Sequence, residues 1–348
     1  MALDVDVDVV VDVAPRRPIG RSVGLVLLVV LVTATTALSI AVGAKSIPLS
    51  TVWNALVSYD ASIEDHLIVR ELRVSRTLLG LTVGAALGLA GAVMQGVTRN
   101  PLADPGLLGV NAGAALAIVS GLYFFGITSS SSYVWFAFVG AAVAGVVVYA
   151  LGAMGRGGAT PVKLAIAGAA VSALMASLTS AMLLLDSATL DQYRFWAVGS
   201  IAGRELDVLW GVLPFILLGI AIALLLGREL NGLALGEDVA RSLGQRVGLV
   251  RLGAAASVVL LCGGATAAAG PIWFVGLTVP HVARALTGPD HRWLLPYSML
   301  IGAVLLTLAD VIGRVLVRPG ELEVGIVTAF LGAPVFIAFV RRRRIAEL

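Results

Sequence analysis

Three arginines spaced by three residues, Arg70, Arg73 and Arg76, lead into an apolar, glycine-rich run. A guanidinium is always charged and offers a planar fork of donors suited to carboxylates. A fourth arginine, Arg314, follows Asp310 by four residues inside another apolar run. Asp before Arg at that spacing is the favourable order for a helical ion pair. A carboxylate within an apolar span could instead carry a proton, and the sequence leaves both roles open. Other chemistry is absent from the sequence. It holds no G-x-x-x-x-G-K-[ST] phosphate loop, no H-E-x-x-H motif, no Ser/His/Asp signature and no cluster of metal ligands. Its lone cysteine, Cys262, excludes an internal disulfide and a cysteine metal site. The histidines His66, His281 and His291 stand far apart, and a structural hydrogen bond is the favoured reading of His281 over ligand contact.

Positioning these residues falls to membrane-spanning helices. Hydrophobic residues make up 59% of the chain and charged residues 13%, outside the soluble globular class. A helix needs about 20 apolar residues to cross the hydrocarbon. Ten runs of that kind are found, at 22–43, 77–98, 107–126, 134–154, 163–185, 209–227, 249–269, 272–287, 294–316 and 324–340. The eighth is short and carries Pro280, so it is expected to be broken or tilted. Residues 22–343 therefore form one ten-helix domain, with cytoplasmic tails at 1–21 and 344–348. Lysine and arginine are twice as frequent in the loops that place both ends inside, and the 341–344 arginines after the last span are the clearest anchor. The first span is read as a membrane helix rather than a cleaved leader, because its apolar run is longer than a typical signal core. The tail at 1–18, with alternating Asp and Val, reads as a short extension, although it could pair as a strand. A net charge of +3 follows from this topology and gives no reason to invoke nucleic acid.

Gly80, Gly84, Gly88 and Gly91 fall on one helical face. Small residues let helices approach closely in lipid, so packing is the favoured reading, with pathway lining as the alternative. Residues 83–97 loosely echo 258–272, and a proline-containing turn follows each, as in an inverted repeat. The longest cytoplasmic connection, 228–250, carries helix formers from Glu237 to Leu243 between Gly236 and Gly244. Its Val239, Ala240 and Leu243 form a small apolar face that needs a partner, a cytoplasmic subunit or the membrane domain itself.

These segments together resemble the permease subunit of type II ABC importers, the vitamin B12 and iron–siderophore permeases. The similarity is most pronounced to the ferric-enterobactin branch. It is carried by ELRVSRTLLGLTVGAALGLAGAVMQGVTRNPLADPGLLGVNAG (71–113), RFWAVGS (194–200), LNGLALGEDVARSLG (230–244), GPIWFVGLTVPHVARALTGPDHRWLLP (270–296), ADVIGR (309–314) and VTAFLGAPVFIAFVRRR (327–343). One departure is Val74–Ser75, where the family commonly has Leu-Pro, which puts the local turn in question. The resemblance implies an all-α, vitamin B12 permease-like fold of ten transmembrane helices, with two permeases forming the pathway at their shared interface. A paralogue is expected as the second permease. Two cytoplasmic ATPases would bind ATP and Mg, no cofactor would sit on this chain, and an external substrate-binding lipoprotein would deliver the cargo.

Residue roles are implied in the same way. Arg73, Arg76 and Arg314 match arginines that receive acidic groups of the binding protein, with plain interfacial anchoring as the alternative. Exposed ion pairs are worth only about 0–1 kcal/mol each, so steering and orientation would be their contribution. Gly236, Glu237, Val239, Ala240, Leu243 and Gly244 fall in the segment matching the coupling helices that contact the ATPases. Thr160 matches the cytoplasmic gate, with Pro161 fixing its backbone. Met94, Gln95, Asn100 and Asn111 are weaker pathway candidates, and Gln95 and Asn111 could equally bond between helices. The expected function is import of a ferric siderophore, catecholate-like. Cobalamin or haem import is the alternative within the family. An ion-coupled secondary transporter is the rival from another class, disfavoured by the scarcity of carboxylates in the spans. A membrane-embedded enzyme lacks any supporting constellation.

Overall fold

The computed structural model describes residues 20–127, 129–155, 159–318 and 320–341. The predicted tails and the arginines at 342–344 lie outside these residues. The described chain is helical throughout and contains no strand. Its helices are α1 (Arg21–Ala41), α2 (Leu49–Val57), α3 (Glu64–Leu67), α4 (Ser75–Thr98), α5 (Val110–Phe125), α6 (Ser130–Ala153), α7 (Pro161–Leu185) and α8 (Ser187–Ala197). They continue with α9 (Leu206–Leu225), α10 (Gly227–Ala234), α11 (Glu237–Ser242), α12 (Val247–Ala269), α13 (Val275–Thr287), α14 (His291–Leu316) and α15 (Val324–Arg341). Every predicted span falls on a helix. Seven helices are long and apolar enough to cross a membrane, counting α3 and α4 as one continuous rod from Glu64 to Thr98. Helix α5, the apolar part of α15 and the 13-residue α13 are shorter.

That continuity answers the question raised by Val74–Ser75. A π-helical turn, Ile68–Val74, joins α3 to α4, and the Ser75 backbone N–H donates to Leu72 O. A proline at position 75 would have no such donor, so this sequence runs through without a break.

Helix α4 is the centre of the bundle, with its apolar window 78% buried, against 11% for α1. It packs on α14, α12 and α13. The contacts are backbone to backbone. A Cβ on Gly84 would lie 2.3 Å from Gly302 O, and one on Gly88 would lie 2.4 Å from Ser298 O. No side chain fits there, and in lipid such close van der Waals packing replaces the hydrophobic drive available in water. The glycine face is thus a packing face.

Helices α4 and α12 run in opposite directions against each other, and each ends where the α-helix breaks, the first break containing one 3₁₀ turn at Pro105–Leu108. Residues 99–109 follow α4, with Arg99 in the left-handed region at φ 49°. Residues 270–274 follow α12, with Phe274 at φ 69°. The eighth span is therefore broken, but at Gly270–Phe274 rather than at Pro280, which lies inside α13. The 99–109 segment also departs from a simple surface turn. Only its first residues are exposed; Ala103, Pro105 and Leu108 are buried.

Candidate functional site

The arginine end of α4 is a buried charge cluster. Asp310 on α14 sits between two arginines: Arg76 donates Nε to its Oδ1 at 2.8 Å, and Arg314 Nη2 lies 2.9 Å from its Oδ2. Arg76 also pairs with Glu321. The expected helical pair is present, and the cross-helix partner was not visible in the spacing. Ser39 Oγ accepts from Arg314 Nη2 at 2.6 Å, while Ser39 O and Val42 O accept from Nη1. Arg73 donates to Ile40 O, Ala41 O and Lys45 O, and Arg318 donates to Gly43 O. The last carbonyls of α1, which have no intrahelical partner, thus meet two guanidinium groups, Arg73 and Arg314, at the negative end of the helix dipole, with Arg318 just beyond.

This corrects the expectation of exposed arginines. Arg73, Arg76 and Arg314 are 4%, 9% and 2% exposed, and most of their donors are already engaged. They remain reachable in one way, since all three line a cavity of about 340 Å³ together with Lys45, Leu72, Ala202 and Glu321. At its rim Lys45 Nζ lies 2.9 Å from Asp65 and 3.0 Å from Glu64, and those hydrogen bonds raise its pKa above the usual lysine value.

At the opposite end, Gly236 at φ 106° and Gly244 at φ 84° bracket α11, as the sequence suggests. The apolar face differs from the expected one. Ala240 is fully buried, whereas Leu235, Val239 and Leu243 are exposed at four-residue spacing. Leu235 precedes Gly236 and so lies outside the helix predicted from the sequence. Glu237 turns inward and pairs with Arg241 and with buried Arg251 of α12, so it anchors α11 to the bundle.

Helix α10 is fastened separately. Asn231 Nδ2 donates to Asp290 Oδ1 at 2.7 Å, and Asn231 Oδ1 accepts the His291 backbone N–H at 2.8 Å. Asp290 also caps α14 through Arg292 N and lies 3.7 Å from Arg21. Burial opposes its ionisation, but the Asn231 and Arg292 hydrogen bonds and the neighbouring charges outweigh it, so its pKa falls below the usual carboxylate value. No local spacing points to this contact, whose partners are some 60 residues apart.

The pathway candidates separate. Met94 and Gln95 are buried in α4, and Gln95 Nε2 donates to Leu277 O at 3.2 Å, so their lining role is corrected to packing between helices. Asn111 Oδ1 accepts from Thr266 Oγ1, an interhelical bond. Asn100 is exposed and its Oδ1 accepts the Leu102 N–H, forming an Asx turn. Thr160 caps α7, accepting from Lys163 N, with Pro161 at the first helical position. His281 bonds Pro101 O at 2.9 Å, a structural contact as expected.

Residues 28–342 match the FecCD transport family. The chain is 50% identical over 325 residues to the ferric enterobactin transport system permease protein FepD of Escherichia coli, covering 93% of this chain and 97% of that protein. It is 37% identical to the hemin transport system permease protein HmuU of Yersinia pestis, covering 95% and 97% of the two chains. A solved structure described as an inward-facing metal-chelate type ABC transporter superposes with a TM-score of 0.80 at 29% identity, over 92% of this chain and 99% of that one. With apolar helices of membrane-crossing length and an end-to-end match to permeases, this multi-pass membrane protein belongs to the FecCD transport family.

Proposed function

We propose that this chain is the membrane-spanning permease of an ATP-driven importer that carries a ferric siderophore, catecholate-like, into the cytoplasm. The observation that carries this reading is the end-to-end similarity to a ferric enterobactin permease at 50% identity. The chain crosses the membrane ten times with both ends in the cytoplasm, which puts the Arg76–Asp310 cluster outside and α10–α11 inside. A second permease, a paralogue, completes the pathway, and two ATPases hold ATP and Mg. The exposed Leu235, Val239 and Leu243 stripe docks into an ATPase cleft, with Gly236, Ala240 and Gly244 setting its geometry. A binding lipoprotein settles over the outer cavity, where Arg73, Arg76 and Arg314 supply positive potential from below.

The test is uptake of radiolabelled ferric tris-catecholate into proteoliposomes containing the full assembly. ATP-dependent accumulation that requires the binding protein is expected. Uptake by the permease alone, driven by an ion gradient, would overturn the reading in favour of a secondary transporter.

A further inference from the structure

The two helix breaks meet at membrane depth. A Cβ on Gly91 of α4 would lie 1.8 Å from Gly276 O, just after the 270–274 break. A Cβ on Gly168 of α7 would lie 1.7 Å from Leu107 O, inside the 99–109 break. Gly91 is seven residues from the end of α4 and Gly168 seven from the start of α7. At 1.5 Å per residue, both helices place the junction about 10 Å in from the same end of the bundle. Non-helical backbone at that depth is tolerated only where it is buried in protein or lines a cavity open to water.

Gly270, Pro271 and Ile272 are buried, but Trp273 is 49% exposed. Its indole faces Gly106, where an added Cβ would lie 3.8 Å from the ring. Trp273 borders a cavity of about 590 Å³ with Asp104, Leu107, Gly168, Ser172 and Phe274. Asp104 is occupied, its Oδ1 accepting from Gly106 N at 2.7 Å. The α7 residues that border the cavity are the small Gly168, Ala169 and Ser172, while the larger exposed Val162, Ile166, Leu174 and Leu178 lie outside its lining. The exposed Trp273 thus faces small residues of α7, and Leu107, Phe274 and Leu277 complete a largely apolar lining.

We infer that Trp273 is a cargo-contacting residue in the transport pathway, and that its indole stacks on the aromatic arms of a ferric aryl chelate. Rings of this kind are attracted in offset or edge-on arrangements beyond simple burial, and the small α7 wall leaves space for a bulky chelate to pass. The inference rests on the import reading above and deepens it.

Two measurements on the reconstituted full importer test it. The first compares Trp273→Phe with Trp273→Leu for uptake of ferric tris-catecholate. The phenyl ring preserves stacking, so its KM should stay near the parent value, while Trp273→Leu should raise KM about five- to tenfold. A lipid-facing tryptophan would accept leucine as readily as phenylalanine, and equal KM values would overturn the inference. The second places Trp273→Cys in the chain, whose native Cys262 is buried. A charged, membrane-impermeant thiol reagent should label it, and ferric tris-catecholate should slow the labelling. Labelling by a lipid-soluble maleimide alone would overturn the pathway placement. If the parent importer moves no chelate with ATP, the import reading itself fails. If it does and both Trp273 outcomes are negative, the stacking role and the pathway placement of Trp273 are lost while the import reading stands.

Discussion

Arg76 on α4 donates its Nε to Oδ1 of Asp310 on α14 at 2.8 Å, joining two helices across 234 residues of chain. Arg314 approaches the other oxygen of the same carboxylate, so one negative charge is shared by two buried positive ones. Removing one member of such a group leaves charge uncompensated, which costs about 3–5 kcal/mol. Asp310→Asn should therefore lower the detergent-solubilised melting temperature substantially. Pairing it with Arg76→Gln should cost less than the two single changes added together. Strict additivity would show that the two side chains act independently.

The exposed stripe at the other end makes a different demand. Leu243 is 66% exposed, so Leu243→Asp should leave the permease folded. Its ATPase partners should bind about tenfold or more weakly, as expected for a lost apolar anchor. Glu237→Gln should do the converse, loosening α11 from Arg251 and reducing stability first. Co-purification of the ATPases with Leu243→Asp at parental levels would remove the stripe from docking.

Glycine positions offer a paired test of packing. Gly84→Val drives a side chain into Gly302 O and should prevent accumulation of folded protein. Gly211 on α9 has no neighbour within 4 Å of an added Cβ. Gly211→Ala should be neutral or stabilising by about 0.5–1 kcal/mol, through helix propensity. Expression and size-exclusion profiles of the two variants decide between packing and a generic intolerance of change.

The α10–α14 contact should respond to acid. The depressed pKa of Asp290 means that its contribution is present above the unfolded value, about 3.9, and is lost as pH falls through the lower folded value. Hydrogen exchange in α10 should stay slow at neutral pH and rise only in strong acid. In Asp290→Asn that acid limb should vanish. An identical acid limb in both proteins would separate the contact from Asp290.

Periodicity and composition located the ten apolar runs because each is a local property of about 20 residues. The glycines around α11 were legible for the same reason, since a left-handed residue beside a helix favours glycine. Burial of Arg73 and Arg314 was not legible. It depends on the end of α1, which reaches them only through the tertiary fold. The Asn231–Asp290 bond and the Leu235 stripe share that limit. Ala240 shows the same limit: its apolar face is open in the sequence to a cytoplasmic subunit or to the membrane domain, because no pattern indicates which side of a six-residue helix meets the bundle.

Helix α14 carries Arg314 and Asp310 in its final turns, and its first residues bond to Asn231 of α10. Between them Gly302 rests directly on Gly84, backbone against backbone. A strut held that way has little slack. Its single proline, Pro296, lies within two turns of the α10 end, so bending is concentrated there, and the remaining length swings as one piece. Displacement of α10 therefore reaches the charge cluster as a tilt of the whole rod, and that tilt strains or relaxes the two guanidinium contacts to Asp310 together.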